Sequence, residues 1–153
     1  MFYQAGMWYP FMRAHSQDVD LPFPMKDREP WFQTSRVREA IRDAVNRRYD
    51  LIHYIYTTMQ RTTETAEPLM RAMWNEFPDE ARFRDLPSQF MFGSSIMVAP
   101  KVTEPRGVFE HMHLQEVTYA LPLGATWFNY YTKLAEESTP IDETVTVALE
   151  DLE

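Results

Sequence analysis

The chain has no cysteine among its 153 residues and only four glycines. The first absence excludes disulfides and thiolate metal sites and leaves the redox compartment open. The second, set beside eleven prolines, ten methionines and four tryptophans, excludes a linker or a disordered tract. No apolar run approaches the roughly 20 residues needed to span a bilayer. Met1 is followed by Phe-Tyr-Gln-Ala-Gly, which offers neither a charged n-region nor an apolar h-region, so no signal peptide is expected here. A basic excess is also missing. The net charge is -8, and beyond Lys133 there are acids but no Lys or Arg. Nucleic acid is therefore not an expected partner.

What is present is a sequence that is 44% hydrophobic and 14% aromatic. That is enough for one compact core, with two small pieces possible. Residues 1 to 8 read as the tail of a helix and 9 to 15 as a buried strand. Residues 16 to 33, with Pro22, Pro24 and Pro30, read as a long ordered loop. Thr34 or Ser35 can cap a helix in which Val37, Ile41, Ala44, Val45, Ile52, Ile55 and Met59 recur at three- and four-residue spacing to about Thr63. Arg36, Arg38, Arg42, Arg47 and Arg48 mostly fall on the opposite face, as on the outer helix of a layered fold.

After Pro68 the pattern changes to short β-like runs, expected near 69–75, 90–99, 108–121, 126–131 and 144–149. The chain therefore divides into 1–67, a strand-loop-helix piece, and 68–153, an antiparallel β piece. A lone strand followed by a helix is one eighth of a β/α barrel, whose catalytic and binding groups cluster at the C-terminal ends of its strands.

Within Tyr9-Pro10-Phe11-Met12-Arg13-Ala14-His15, period-two alternation sends Arg13 and His15 to one face, where they can reach a polar pocket. A structural histidine held by its neighbour fits the same spacing. His111 and His113 also share a face, but two ligands without a third do not make a typical zinc site, and no metal or cofactor is expected. His53, beside Tyr49, Tyr54 and Tyr56, reads as a packed helix histidine. Asp18 and Asp20 read as solvated or capping loop acids. The run Trp127-Phe128-Asn129-Tyr130-Tyr131 can stack on sugars or, more in keeping with a β-domain, fill a core.

The block from Phe2-Tyr3-Gln4-Ala5-Gly6 through Arg13-Ala14-His15 to Arg28-Glu29-Pro30-Trp31 resembles the end of the catalytic barrel in family-31 glycoside hydrolases, the α-glucosidases. The resemblance continues in family order through Arg48-Tyr49-x-Leu51, Tyr54-x-Tyr56-Thr57, Pro68-Leu69-Met70-Arg71-x-Met73-Trp74-x-Glu76-Phe77-Pro78, Gln89-Phe90-Met91-Phe92-Gly93 and Ile96-Met97-Val98-Ala99-Pro100. Trp127-x-Asn129-x-x-Thr132 is similar to a W-x-D-x-x-T segment of the family's β-domain, with Asn in place of Asp.

The resemblance implies an α/β plus β fold: the last strand and helix of a (β/α)8 barrel followed by an antiparallel β-sandwich-like domain, as a fragment of a longer enzyme. It also implies hydrolysis of terminal α-linked glucose with retention, with His15 on a hydroxyl of the bound sugar and Arg13 orienting carboxylates of the site. Arg13-Ala14-His15 with Arg28-Glu29-Pro30-Trp31 looks most like the branch that trims glucose from N-glycans in the endoplasmic reticulum lumen and pairs with a noncatalytic β subunit. Retaining hydrolysis needs a carboxylate nucleophile and an acid about 5 Å apart. The family's nucleophile motif, W-x-D-M-N-E, does not occur in this sequence. Catalytic residues are therefore not assigned, and the chain alone is expected to be inactive. A noncatalytic carbohydrate-binding or interaction fragment is the alternative.

Overall fold

The computed structural model describes residues 2–15, 29–100, 116–136 and 145–148. The chain forms two compact units, Met1–Leu69 and Met70–Glu153.

The first unit is helical. A short helix α1, Phe2–Gly6, leads into a turn in which Met7 and Trp8 are buried. The expected strand at 9–15 does not form. Pro10 has no N–H to give to a ladder, and the carbonyls of Met7, Tyr9 and Pro10 accept hydrogen bonds from the Arg48 guanidinium, at 2.7, 2.7 and 3.0 Å. Among the described residues no strand pairs with this segment. Pro30–Phe32 form a single 3-10 turn begun by its proline.

The expected long helix is present but divided. Helix α2 spans Ser35–Asp50 and α3 spans Ile52–Thr65. Between them Leu51 sits at φ -86°, ψ -3°, its N–H shared between the carbonyls of Arg47 and Arg48. Leu51 is buried with Ala44, Ile55 and Thr58, while Val37, Ile52 and Met59 are exposed. The buried face is therefore rotated from the stripe read in the sequence. His53 is exposed and not packed. Thr34 is the N-cap residue of α2 but makes no side-chain capping bond, and α3 ends on Ala66 in the left-handed region at φ 60°.

The second unit is built from small antiparallel sheets. Strands β1 (Met70–Ala72), β2 (Phe90–Phe92) and β3 (Ile96–Val98) pair in that order. Instead of continuing to residue 75, β1 gives way to a one-turn helix α4, Met73–Glu76. The run 90–99 is a hairpin and not one strand. Gly93, at φ 64°, starts the turn that returns the chain, with Phe92 opposite Ile96. Strand β4 (Glu116–Tyr119) pairs with β7 (Val145–Ala148), and β5 (Trp127–Phe128) with β6 (Ala135–Glu136). The antiparallel character expected of this part is thus observed, in shorter strands.

Met73, Phe83, Met91 and Ala120 form the core of this unit, and Phe77, Leu86, Met97 and Trp127 pack around them. The Phe77 ring lies 5.9 Å from Phe83 and 6.3 Å from Trp127, centroid to centroid. Buried Gln89 closes the structure like a strand. Its Nε2 donates to the Ala120 carbonyl and its Oε1 accepts from the Ala120 N–H, both at 2.8 Å. Both ends of the amide are thereby satisfied in an apolar setting.

Candidate functional site

In the first unit a cavity of about 470 Å3 is lined by residues from α1 and the turn after it, by Arg13 and His15, and by Glu29. Its size falls in the roughly 300–1,000 Å3 range of small-molecule sites. Phe2, Tyr3, Tyr9 and Phe11 contribute aromatic surface, and Phe11 is 72% exposed. Aromatic faces beside a few polar groups suit a ring that is apolar on one side and hydroxylated at its edge.

Arg13 and His15 meet although the strand expected to carry them does not form. Arg13 Nη2 lies 2.6 Å from His15 Nδ1. A guanidinium has no acceptor, so this contact assigns Nδ1 as the acceptor and leaves the imidazole proton on Nε2. The pair is held by the Arg48 bonds to the backbone at 7, 9 and 10, which fix the approach to residue 13. Burial lowers the Arg48 pKa from its ordinary value, yet a guanidinium stays charged at any working pH.

The sequence counted Arg48 on the solvent face of its helix. Its anchoring role was visible only as part of the Arg48-Tyr49-x-Leu51 match, because a bond to carbonyls some forty residues away leaves no local pattern. Glu29, in the pocket wall, likewise stands out in the sequence only as a letter of a motif.

Other candidates separate from this pocket. Glu76, superficially similar to the end of a nucleophile motif, pairs with buried Arg71. Asn129 is the start of a turn: its Oδ1 accepts from the N–H of Tyr131 and of Thr132, at 2.9 and 3.1 Å, and its Nδ2 donates to Glu136 at 3.0 Å. That geometry gives the W-x-N-x-x-T segment a structural reason, since an Asx side chain can replace a backbone turn bond. Trp127 packs on the core as expected, whereas Phe128 is 64% exposed. Tyr119 donates to Glu136 at 2.7 Å, and burial together with that carboxylate raises the phenol pKa.

Asp18, Asp20, His111 and His113 lie outside the described residues. Among the described residues no group of three or more His, Cys, Asp or Glu could hold a metal, and no helix is long and apolar enough to cross a membrane. A shallower hollow of about 250 Å3 in the second unit is lined by Trp74, Pro78 and Arg84.

Comparison with known proteins bears on both units. The model of the glycosyl hydrolase family 31 TIM-barrel domain matches residues 1–58, and that of the glycosyl hydrolase family 31 C-terminal domain matches residues 66–152. Neutral alpha-glucosidase C of Macaca fascicularis is 36% identical over 129 residues, covering 82% of this chain and 16% of the relative. Glucosidase 2 subunit alpha of Saccharomyces cerevisiae is 32% identical over 145 residues, covering 93% of this chain and 15% of the relative. The structure of a cycloalternan-degrading enzyme from Trueperella pyogenes, in complex with cycloalternan, superposes with a TM-score of 0.78 at 26% identity, over 95% of this chain and 19% of that one. The chain thus spans about one sixth of the length of these curated relatives. With its two halves matched in order by the barrel and C-terminal domains of one family, the chain belongs to glycoside hydrolase family 31.

Proposed function

We propose that this chain supplies the end of the catalytic barrel and the adjoining β-domain of a retaining α-glucosidase, and that Arg13 and His15 bind the sugar from which the bond is cleaved. The observation that carries the reading is the Arg13–His15 contact inside an aromatic-lined cavity of sugar-compatible size. With Nδ1 engaged by Arg13, His15 offers its Nε2–H to a hydroxyl oxygen, and the remaining Arg13 N–H groups offer further donors.

The same geometry gives Arg13 a second task, holding the imidazole in one tautomer and orientation. Hydrolysis with retention would draw its nucleophile and its acid from carboxylates about 5 Å apart, which no motif of this sequence provides. Glucose trimming of N-glycans in the endoplasmic reticulum lumen, beside a noncatalytic β subunit, is the narrower form of the proposal. It is supported by the 32% identity to the yeast glucosidase 2 subunit alpha.

Replacing the matching segment of that yeast subunit by this chain tests the reading. The chimera is expected to hydrolyse a chromogenic α-glucoside, and His15→Ala within it to lose activity by about 100-fold or more, as for loss of a positioned donor. Full activity of the His15→Ala chimera would overturn the role given to His15. Turnover by residues 1–153 alone would overturn the assignment of the catalytic carboxylates to other sequence.

A further inference from the structure

Helices α2 and α3 carry more apolar surface than their unit covers. Ala44, Leu51, Ile55 and Thr58 lie on one side of the pair and are buried. Tyr49, Ile52, Tyr56 and Met59 recur at three- and four-residue spacing and are exposed, Tyr49 at 68% and Tyr56 at 76%. At 3.6 residues per turn this second stripe lies about 100° round the helix from the first. Asn46, Asp50, His53, Thr57 and Gln60 fill the far side and are exposed as well. A helix on the surface of a finished domain shows one apolar stripe, facing its core. Single exposed apolar residues need no explanation, but a run of them in register marks a surface that meets a partner.

The partner is indicated by the barrel. The family's TIM-barrel model matches residues 1–58, which takes in Tyr49, Ile52 and Tyr56, while the chain spans about one sixth of the curated relatives. In a (β/α)8 barrel the helices form a ring around the strands. Among the described residues the first unit contains helices and no strand. The stripe itself is uncharged, two aliphatic side chains and two phenol rings, which suits an apolar protein layer with a wet edge and gives no hold to an anion.

We infer that the stripe Tyr49, Ile52, Tyr56 and Met59 docks the chain onto the remaining strands and helices of a family-31 barrel. The inference rests on the function proposed above and adds a positioning role to it. None of the four is among the residues that line the cavity. Arg48, next to Tyr49, holds the backbone at residues 7, 9 and 10. Seating the stripe therefore sets where the segment leading to Arg13 and His15 stands relative to the sequence that supplies the carboxylates.

The test compares the yeast chimera with the intact 153-residue chain, each as wild type, Tyr56→Asp, Tyr56→Phe and Asn46→Asp. Tyr56→Asp puts a charge in the stripe, and Asn46→Asp puts the same charge on the far side. In the intact chain neither is expected to move the thermal melt, because both positions are exposed. In the chimera Tyr56→Asp is expected to lower the melt and to cut α-glucoside turnover about tenfold or more, the effect of burying an unpaired charge, while Asn46→Asp and Tyr56→Phe leave both unchanged. Hydroxyl-radical footprinting reads the contact without activity: Tyr49, Tyr56 and Met59 should react in the intact chain and be protected in the chimera, with His53 reactive in both. Equal reactivity of the stripe in the two proteins, or equal tolerance of Tyr56→Asp and Asn46→Asp in the chimera, overturns the docking. A lowered melt of the intact chain by Tyr56→Asp, or a dimer of that chain that Tyr56→Asp dissociates, assigns the stripe to this chain's own packing or to a second copy and also overturns it. A protected stripe in an inactive wild-type chimera overturns the proposed function and keeps the docking. For a chimera that does not fold, capture of the intact chain by the yeast subunit lacking its matching segment decides: wild type is expected to bind about tenfold or more tightly than Tyr56→Asp, and equal or absent capture overturns the docking.

Discussion

The two units hold themselves in opposite ways. In residues 1–69 the segment around 7–10 is tied by hydrogen bonds, three from the single Arg48 guanidinium to backbone carbonyls. Large apolar side chains such as Phe2, Phe11, Trp31 and Tyr56 stay exposed. In the described part of residues 70–153 an apolar core dominates, with Phe83 and Phe92 fully buried and Met73 and Met91 at 1% exposure, beside the paired hydrogen bonds of Gln89 to Ala120. Packing tolerates no loss of volume but is indifferent to charge. A hydrogen-bonded tether places a backbone accurately while leaving its side chains free to meet a ligand.

The contrast can be broken most strongly at Phe83. Phe83→Ala removes a fully buried ring that contacts Phe77 and is expected to cost about 3–5 kcal/mol. Amide hydrogen exchange would show lost protection in β1 to β3 with that of α2 and α3 unchanged. A parallel loss in both helices would mean that the units do not stand on separate interactions.

The matching cut in the first unit is Arg48→Ala. Removing a charged donor from three carbonyls is expected to cost about 2–3 kcal/mol. Its effect should appear as faster exchange and broader NMR lines over residues 7–15, with the helical circular dichroism signal retained. Retained order at 7–15 would show that the segment is placed by something other than the guanidinium.

The smallest and most selective effect concerns Tyr119. Its folded pKa is raised, first by burial and then by the Glu136 hydrogen bond and charge. Above the ordinary tyrosine pKa of about 10 the unfolded chain therefore releases a proton that the folded chain keeps. Stability from this source is complete below about pH 10 and falls as pH rises beyond it. Tyr119→Phe is expected to remove that alkaline decline in a thermal melt series and, through loss of the hydrogen bond to Glu136, to cost about 1 kcal/mol at neutral pH. An unchanged decline would assign it to another group.

Helix and strand were legible where the pattern was local. The apolar period marked α2 and α3, and Gly93 within an apolar run was a turn signal that the reading of 90–99 as one strand passed over. The break at Leu51 was not legible, because a change of backbone angle at one leucine leaves the surrounding composition unaltered. The error at 9–15 has a different origin. Alternation alone favoured a strand, but a strand requires a partner, and at the start of the segment the carbonyls of Tyr9 and Pro10 are taken by Arg48.

Period-two alternation put Arg13 and His15 on one face of a strand that does not form, and they meet instead in an irregular segment. It could not show which nitrogen was left to serve a ligand.

The Arg48 contacts also order events in time. Helix α2 closes its bonds over four residues, whereas the bonds from Arg48 to Met7, Tyr9 and Pro10 close loops of 41, 39 and 38 residues. Bringing such ends together costs roughly 3 kcal/mol in chain entropy before any contact repays it. The guanidinium moreover has a fixed platform only once the helix beneath it exists. The segment bearing these carbonyls is thus expected to join its unit late, on a helix already formed, and to be the first part of it to open.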